Sequence, residues 1–193
     1  MKRLSSVLVL LLILTGCAKT PEEPEVIKPP VNTFETIVFK LGGKDYQLPV
    51  SYQTLFEDGW EPTTDIDSIT LASNSYTDGY ALRKNRNIIW IAFFNAADEE
   101  KLLEETLVAS ISAENRESYY DDPVDIVVHE GISFDTPKEQ IIEQLGEFKE
   151  DENARFKNIT FEHNKKAKST FKFDVDSGRM EYIEITNYRK PIQ

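Results

Sequence analysis

Two histidines, one cysteine and an excess of carboxylates are the side chains from which this 193-residue chain could build metal or nucleophilic chemistry. His129-Glu130 opens the pattern His-Glu-x-x-His, in which two histidines one helical turn apart hold zinc and the glutamate serves as base, but position 133 is Ser133. With His163 as the one other imidazole and Cys17 as the one thiol, no His-rich or Cys-rich metal set is expected. Nucleophilic catalysis needs a serine or cysteine with a positioned base. The chain has no Gly-x-Ser-x-Gly elbow, and no spacing nominates a serine beside either histidine, so both are expected to be structural. Carboxylate pairs such as Glu104-Glu105 and Asp121-Asp122 are unavoidable in a chain with 34 acidic residues. A glycosidase needs two carboxyls at a defined separation, which adjacency in sequence does not give. Asp174-Val175-Asp176-Ser177-Gly178 alternates aspartates as calcium loops do but lacks the distal glutamate, and hairpin-turn chemistry accounts for the same residues. No catalytic residue, metal or cofactor is therefore expected.

Charge excludes one partner class. The formal net charge is −12, with 22 basic residues against 34 acidic. Nucleic acid requires basic patches, so no nucleic-acid partner is expected. Tyr76, Tyr80, Tyr119 and Tyr120 stand in polar surroundings, where exposed rings can anchor a partner, and they are the candidate partner-binding residues. The competing explanation is that they pack over sheet edges with their hydroxyls in water.

The N-terminus supplies an address. Lys2 and Arg3 precede an apolar run over residues 7–14, and Leu14-Thr15-Gly16-Cys17 closes it. That segment resembles the lipobox of bacterial lipoproteins. The resemblance implies that residues 1–16 are a signal peptide, removed on export, and that Cys17 carries a diacylglyceryl lipid with palmitate-like chains. The protein would then be extracytoplasmic, tethered to the outer face of the cell membrane, or facing the periplasm where an outer membrane exists. The apolar run is about half the roughly 20 residues of a membrane span, and its layout is that of an export signal. Residues 18–33 hold four prolines and few apolar side chains, a composition that cannot bury a core. They are expected to form a linker reaching up to about 50 Å at ~3.1 Å per residue. With a single cysteine, no intramolecular disulfide is available and the fold must rest on its core.

The remainder divides into an N-terminal half over residues 34–120 and a C-terminal half over residues 121–193. Residues 34–40 and 44–50 are β-rich and flank the turn Gly42-Gly43. Ser51 is placed to cap a short helix over residues 52–58, ended by Gly59, with Leu55 and Phe56 as core candidates. Residues 68–72 form a strand, and residues 76–82 a hairpin or a loop. Residues 88–94 are apolar on both faces, as in a central covered strand, which places Trp90, Phe93 and Phe94 in the core. Residues 99–105 favour helix and residues 106–111 strand. Further on, 124–128 is a strand, and Thr136-Pro137-Lys138-Glu139 has the residues of a capping box with proline at the first helical position. Ile141, Ile142 and Leu145 form that helix's apolar stripe, ended by Gly146. Three alternating strands follow, with Ile159 and Phe161, then Phe171, Phe173 and Val175, then Ile183 and Ile185 pointing inward, and Asp176-Ser177-Gly178 as a turn. This predicts an α+β fold of two weakly similar halves, each a helix followed by a β-meander, forming an antiparallel sheet with short helices packed on one face.

Residues 131–146, Gly131-Ile132-Ser133-Phe134-Asp135-Thr136-Pro137 running through Leu145-Gly146, resemble the helix-opening segment of SmpA/OmlA-type lipoproteins and of the beta-lactamase inhibitor protein fold. Residues 40–60, with Asp45-Tyr46-Gln47-Leu48-Pro49 and Asp58-Gly59-Trp60, resemble uncharacterised surface lipoproteins of Gram-positive bacteria. These resemblances imply a binding or assembly module. The expected function is thus a membrane-tethered, non-enzymatic lipoprotein that binds a protein or another envelope component. The alternatives are a small-ligand sensor or scavenger with a concave, partly apolar sheet face, and a wall-polymer hydrolase using His129 or His163.

Overall fold

A computed structural model describes residues 36–115 and 122–188. The expected signal peptide and linker, Cys17, Tyr119 and Tyr120 lie outside the described residues.

In chain order the elements begin with β1 (Ile37–Leu41), β2 (Lys44–Leu48), β3 (Val50–Ser51) and α1 (Tyr52–Glu57). Next come β4 (Glu61–Pro62), β5 (Thr70–Leu71), β6 (Tyr76–Lys84), β7 (Asn87–Phe94), β8 (Lys101–Leu102), a 3-10 turn (Leu103–Glu105) and β9 (Leu107–Glu114). The rest comprises β10 (Ile126–Val128), α2 (Lys138–Leu145), β11 (Lys149–Glu152), β12 (Phe156–Asn164), β13 (Ala167–Asp174) and β14 (Met180–Asn187). The main sheet has nine strands, eight of them in the order β11-β12-β13-β14-β9-β7-β6-β4, with β3 pairing β9 beside this path. A three-stranded sheet, β10-β1-β2, and a β5-β8 ribbon complete the β-structure, and every pairing is antiparallel.

The fold is therefore mainly β, which corrects the expected α+β balance: among the described residues the α-helices are one of six residues and one of eight. Helices this short are unstable alone, and both persist by burying a stripe, Tyr52 and Leu55 on α1 and Ile141 and Leu145 on α2. The expectation of one covered and one wet sheet face holds. Alternate residues of the long strands, among them Ile91, Phe93, Ile111, Ile159, Phe161, Phe171, Ile183 and Ile185, fall in one apolar cluster with Ile37, Phe39, Leu55, Ile141 and Leu145. The small sheet and both helices thus cover one face, and Asn187 ties the two sheets by donating its side-chain N–H to the Leu48 carbonyl at 3.0 Å.

Several local expectations need correction. Phe56 is exposed on α1, and Tyr52 takes the core position, packing its ring 5.5 Å from Phe93. Thr136 does not cap α2: Pro137 is the N-cap residue in extended backbone, and Thr136 Oγ1 accepts instead from the Ser133 N–H at 2.9 Å. The helix starts one residue later because the threonine closes the preceding turn. Val175 is exposed, since β13 ends at Asp174 and the chain there enters the Asp174–Arg179 turn. That turn uses Asp174, whose carboxylate accepts from both Ser177 N–H and Ser177 Oγ–H at 2.8 Å. Those bonds hold its pKa below the usual aspartate value. The acidic strand β11, exposed throughout, has no counterpart among the expected elements.

Candidate functional site: the uncovered sheet face

On the uncovered face the cross-strand register sets out rows of side chains. One row runs Trp90, Ser112, Glu184, Thr170 across β7, β9, β14 and β13. The next has Glu114, Tyr182 and Lys172, and a third has Ala92, Ser110, Thr186 and Lys168. β9, near the centre of the sheet, therefore carries two serines where its neighbours carry a tryptophan, a tyrosine and a glutamate. Small side chains between tall ones make a trough, and it measures about 390 Å³. Ser110, Ser112 and Ala92 floor it, with Trp90, Tyr182, Glu184 and Tyr188 around them.

The floor is polar but satisfied, since Ser110 Oγ and Thr186 Oγ1 share a hydrogen bond of 3.0 Å. The walls are aromatic. Trp90 is 46% exposed, although its sequence surroundings place it in the core. The Tyr188 ring lies 4.8 Å from Tyr76 and 5.9 Å, edge-on, from Phe94. Burial pushes the Tyr188 phenol up to about 12, with Tyr76, Glu184 and Asp78 adding to the shift. Burial followed by Glu184 raises Tyr182 as well. Both hydroxyls are thus neutral donors at physiological pH.

Two further depressions adjoin the trough. Beyond Tyr182 one of about 460 Å³ contains Arg155, Phe156 and Lys172, the lysine Nζ standing 4.7 Å from the Tyr182 ring and 5.3 Å from the Phe156 ring. Beyond Tyr188 another of about 470 Å³ is bordered by Lys165, Lys166 and Lys168. The face is therefore acidic and aromatic at its centre, basic at the flank beyond Tyr188, and mixed beyond Tyr182, where Glu114, Asp174 and Glu181 accompany Arg155 and Lys172.

Of the tyrosines singled out in the sequence, Tyr76 stands on this face and is exposed. Tyr80 does not join it. A bulge between Thr77 and Tyr80, where Gly79 adopts φ +82°, shifts the register by one residue. Tyr80 consequently points to the covered side and packs edge-on against Phe93 at 5.2 Å. Tyr182 was recoverable from the alternation that turns Ile183 and Ile185 inward. Trp90 was not, because every side chain from Ile88 to Phe94 is apolar.

Both histidines lie on the covered side. His129 sits in a tight turn, with φ +48° followed by φ +60° at Glu130, just after β10, while His163 and Ser169 come from β12 and β13. Ser169 Oγ is 2.6 Å from His129 Nε2 and 2.8 Å from His163 Nε2. The Gln144 side chain of α2 donates to the His129 carbonyl. All three residues are buried, and Ser169 is 0% exposed. Burial, then the neighbouring imidazole, pushes His129 down to about 3, and burial pushes His163 down to about 4. With both rings neutral, one Nε2–H donates to the hydroxyl and the hydroxyl donates to the other Nε2. This is a serine beside two bases, buried beneath the sheet.

Among the described residues no cluster of three or more His, Cys, Asp or Glu is placed to hold a metal ion, and no helix is long and apolar enough to cross a membrane. Compared with protein-family models, with curated proteins and with solved structures, the chain matches none.

Proposed function

We propose that this chain is a membrane-tethered, extracytoplasmic lipoprotein, anchored through lipid on Cys17, which binds a protein or other envelope component on its uncovered sheet face and performs no chemistry of its own. The observation that carries this reading is the aromatic trough, in which a 46%-exposed Trp90 and the rings of Tyr182 and Tyr188 surround a floor of small residues. Exposed tryptophan and tyrosine rings around a depression are the usual anchors of binding surfaces. The trough is open along the sheet, which suits an extended macromolecular ligand better than an enclosed metabolite. The buried position of Ser169, His129 and His163 supports a binding rather than a hydrolytic role.

The same reading treats the fold as two related halves. In each, a short helix is followed by strands, α1 by β4, β6, β7 and β9, and α2 by β11 to β14. In the sheet the two series run in mirrored order and meet at β9 and β14, where Ile111 faces Ile185. The trough sits on that junction, so each half supplies one wall.

The test is capture from native envelope using the lipidated chain as bait. Enrichment of a partner is expected with the parent chain and its loss with Trp90→Ala plus Tyr182→Ala. An enriched partner indifferent to both substitutions would remove the sheet face from the proposal.

A further inference from the structure

Resting on the open face as the binding surface, we infer that the trough receives a basic side chain, arginine or lysine, presented by a protein partner. Among the described residues the trough is lined by three carboxylates, Asp78, Glu114 and Glu184, and by no basic residue. The depression beyond Tyr188 has the opposite sign, with Lys165, Lys166 and Lys168 against Glu162, and the one beyond Tyr182 mixes Arg155 and Lys172 with Glu114, Asp174 and Glu181.

The register gives the carboxylates their positions. Glu184 and Trp90 occupy the same row on either side of Ser112, and Glu114 is one row along, opposite Tyr182. Two strand spacings separate Trp90 from Glu184, about 10 Å between backbones. That gap, floored by a serine, admits one alkyl chain with a cationic head. The head would meet an aromatic face on one side, where a cation is attracted by the ring, and a carboxylate on the other, which accepts charge-assisted hydrogen bonds. The face already holds a cation against aromatic rings, Lys172 near Tyr182 and Phe156. The basic flank at Lys165, Lys166 and Lys168 would favour an acidic residue on that side of the partner's cation, giving register as well as affinity.

The experiment titrates the full-length chain in micelles with three acetylated, amidated tripeptides, Gly-Arg-Gly, Gly-citrulline-Gly and Gly-Glu-Gly, following the Trp90 indole N–H resonance. A saturable shift is expected with arginine, at least ten-fold weaker with its uncharged isostere citrulline and absent with glutamate. Glu114→Gln with Glu184→Gln should weaken arginine binding at least ten-fold. Glu150→Gln with Asp151→Asn, which removes the same charge from the edge strand β11, should change it less than two-fold. If the first pair melts early, Glu184→Gln alone replaces it. Equal binding of citrulline, equal weakening by both pairs, or no saturable arginine shift would each overturn the inference. Envelope capture that still depends on Trp90 while arginine fails to bind sinks this inference and leaves the proposed function standing.

Discussion

His129 and His163 converge on one hydroxyl, their Nε2 atoms 2.6 and 2.8 Å from Ser169 Oγ beneath the sheet. Because both rings are held neutral, with folded-state values near 3 and 4 against an ordinary 6.5, the unfolded chain takes up protons first as pH falls. Their contribution is present in full above about pH 7 and is lost progressively as pH drops from 6.5 toward 4 and below. Urea midpoints at pH 7.5, 6 and 5 should fall for the parent, and fall less steeply for His163→Gln, which keeps a hydrogen-bonding group without the titration. Parallel pH dependences would show that the pair does not titrate on unfolding.

Ser169→Ala should cost about 2–6 kcal/mol in chemical denaturation, because it strands two buried ring nitrogens at roughly 1–3 kcal/mol for each unsatisfied group. An effect below about 1 kcal/mol would mean that the imidazoles find other partners.

Neighbouring aromatics on β7 should respond oppositely. Phe93 is fully buried and Phe93→Ala should cost about 3–5 kcal/mol. Trp90→Ala, three positions earlier and on the open face, should cost about 1 kcal/mol or less. Comparable losses in urea denaturation would place Trp90 in the core after all.

Gly146 ends α2 at φ +84° and ψ −129°, a region closed to residues with a Cβ. Gly146→Ala should destabilise by about 1–3 kcal/mol, whereas Thr136→Ala, whose hydroxyl closes a turn and does not cap the helix, should cost about 1 kcal/mol. Denaturation of both variants gives the order.

Cys17→Ser should retain residues 1–16 and carry no acyl mass, whereas the parent should begin at Cys17 and carry it, both read by intact-protein mass spectrometry. A parent with residues 1–16 still present and no acyl mass would remove the lipid anchor from the proposed function.

What the sequence made legible followed from clean periodicity. Ile141 and Leu145 announced α2 by helical spacing, and Phe171 and Phe173 announced β13 by alternation. Where both faces of a strand are apolar, as in β7, alternation carries no signal, and the exposure of Trp90 depends on which neighbours rise beside it. That neighbour, β9, is distant in chain from β14, so the serines of the trough floor acquire meaning through pairing alone. The bulge at Gly79 is similarly silent, because a glycine beside an aspartate suits a hairpin as well as a register shift. The acidic β11 was missed for a related reason: with all four side chains in solvent, it has no inward set to reveal it.

The junction of β9 with β14 also bears on how the molecule is made. Among the described residues β14 follows every other strand of the sheet in the chain, so until residue 187 is available β9 waits with residues 110–114 of one flank unpaired beyond its short contact with β3. A nascent chain in that condition is vulnerable to strand exchange with a sibling, and a ribosome stalled late, or a protease trimming the tail, would yield a product open at its middle rather than at its rim.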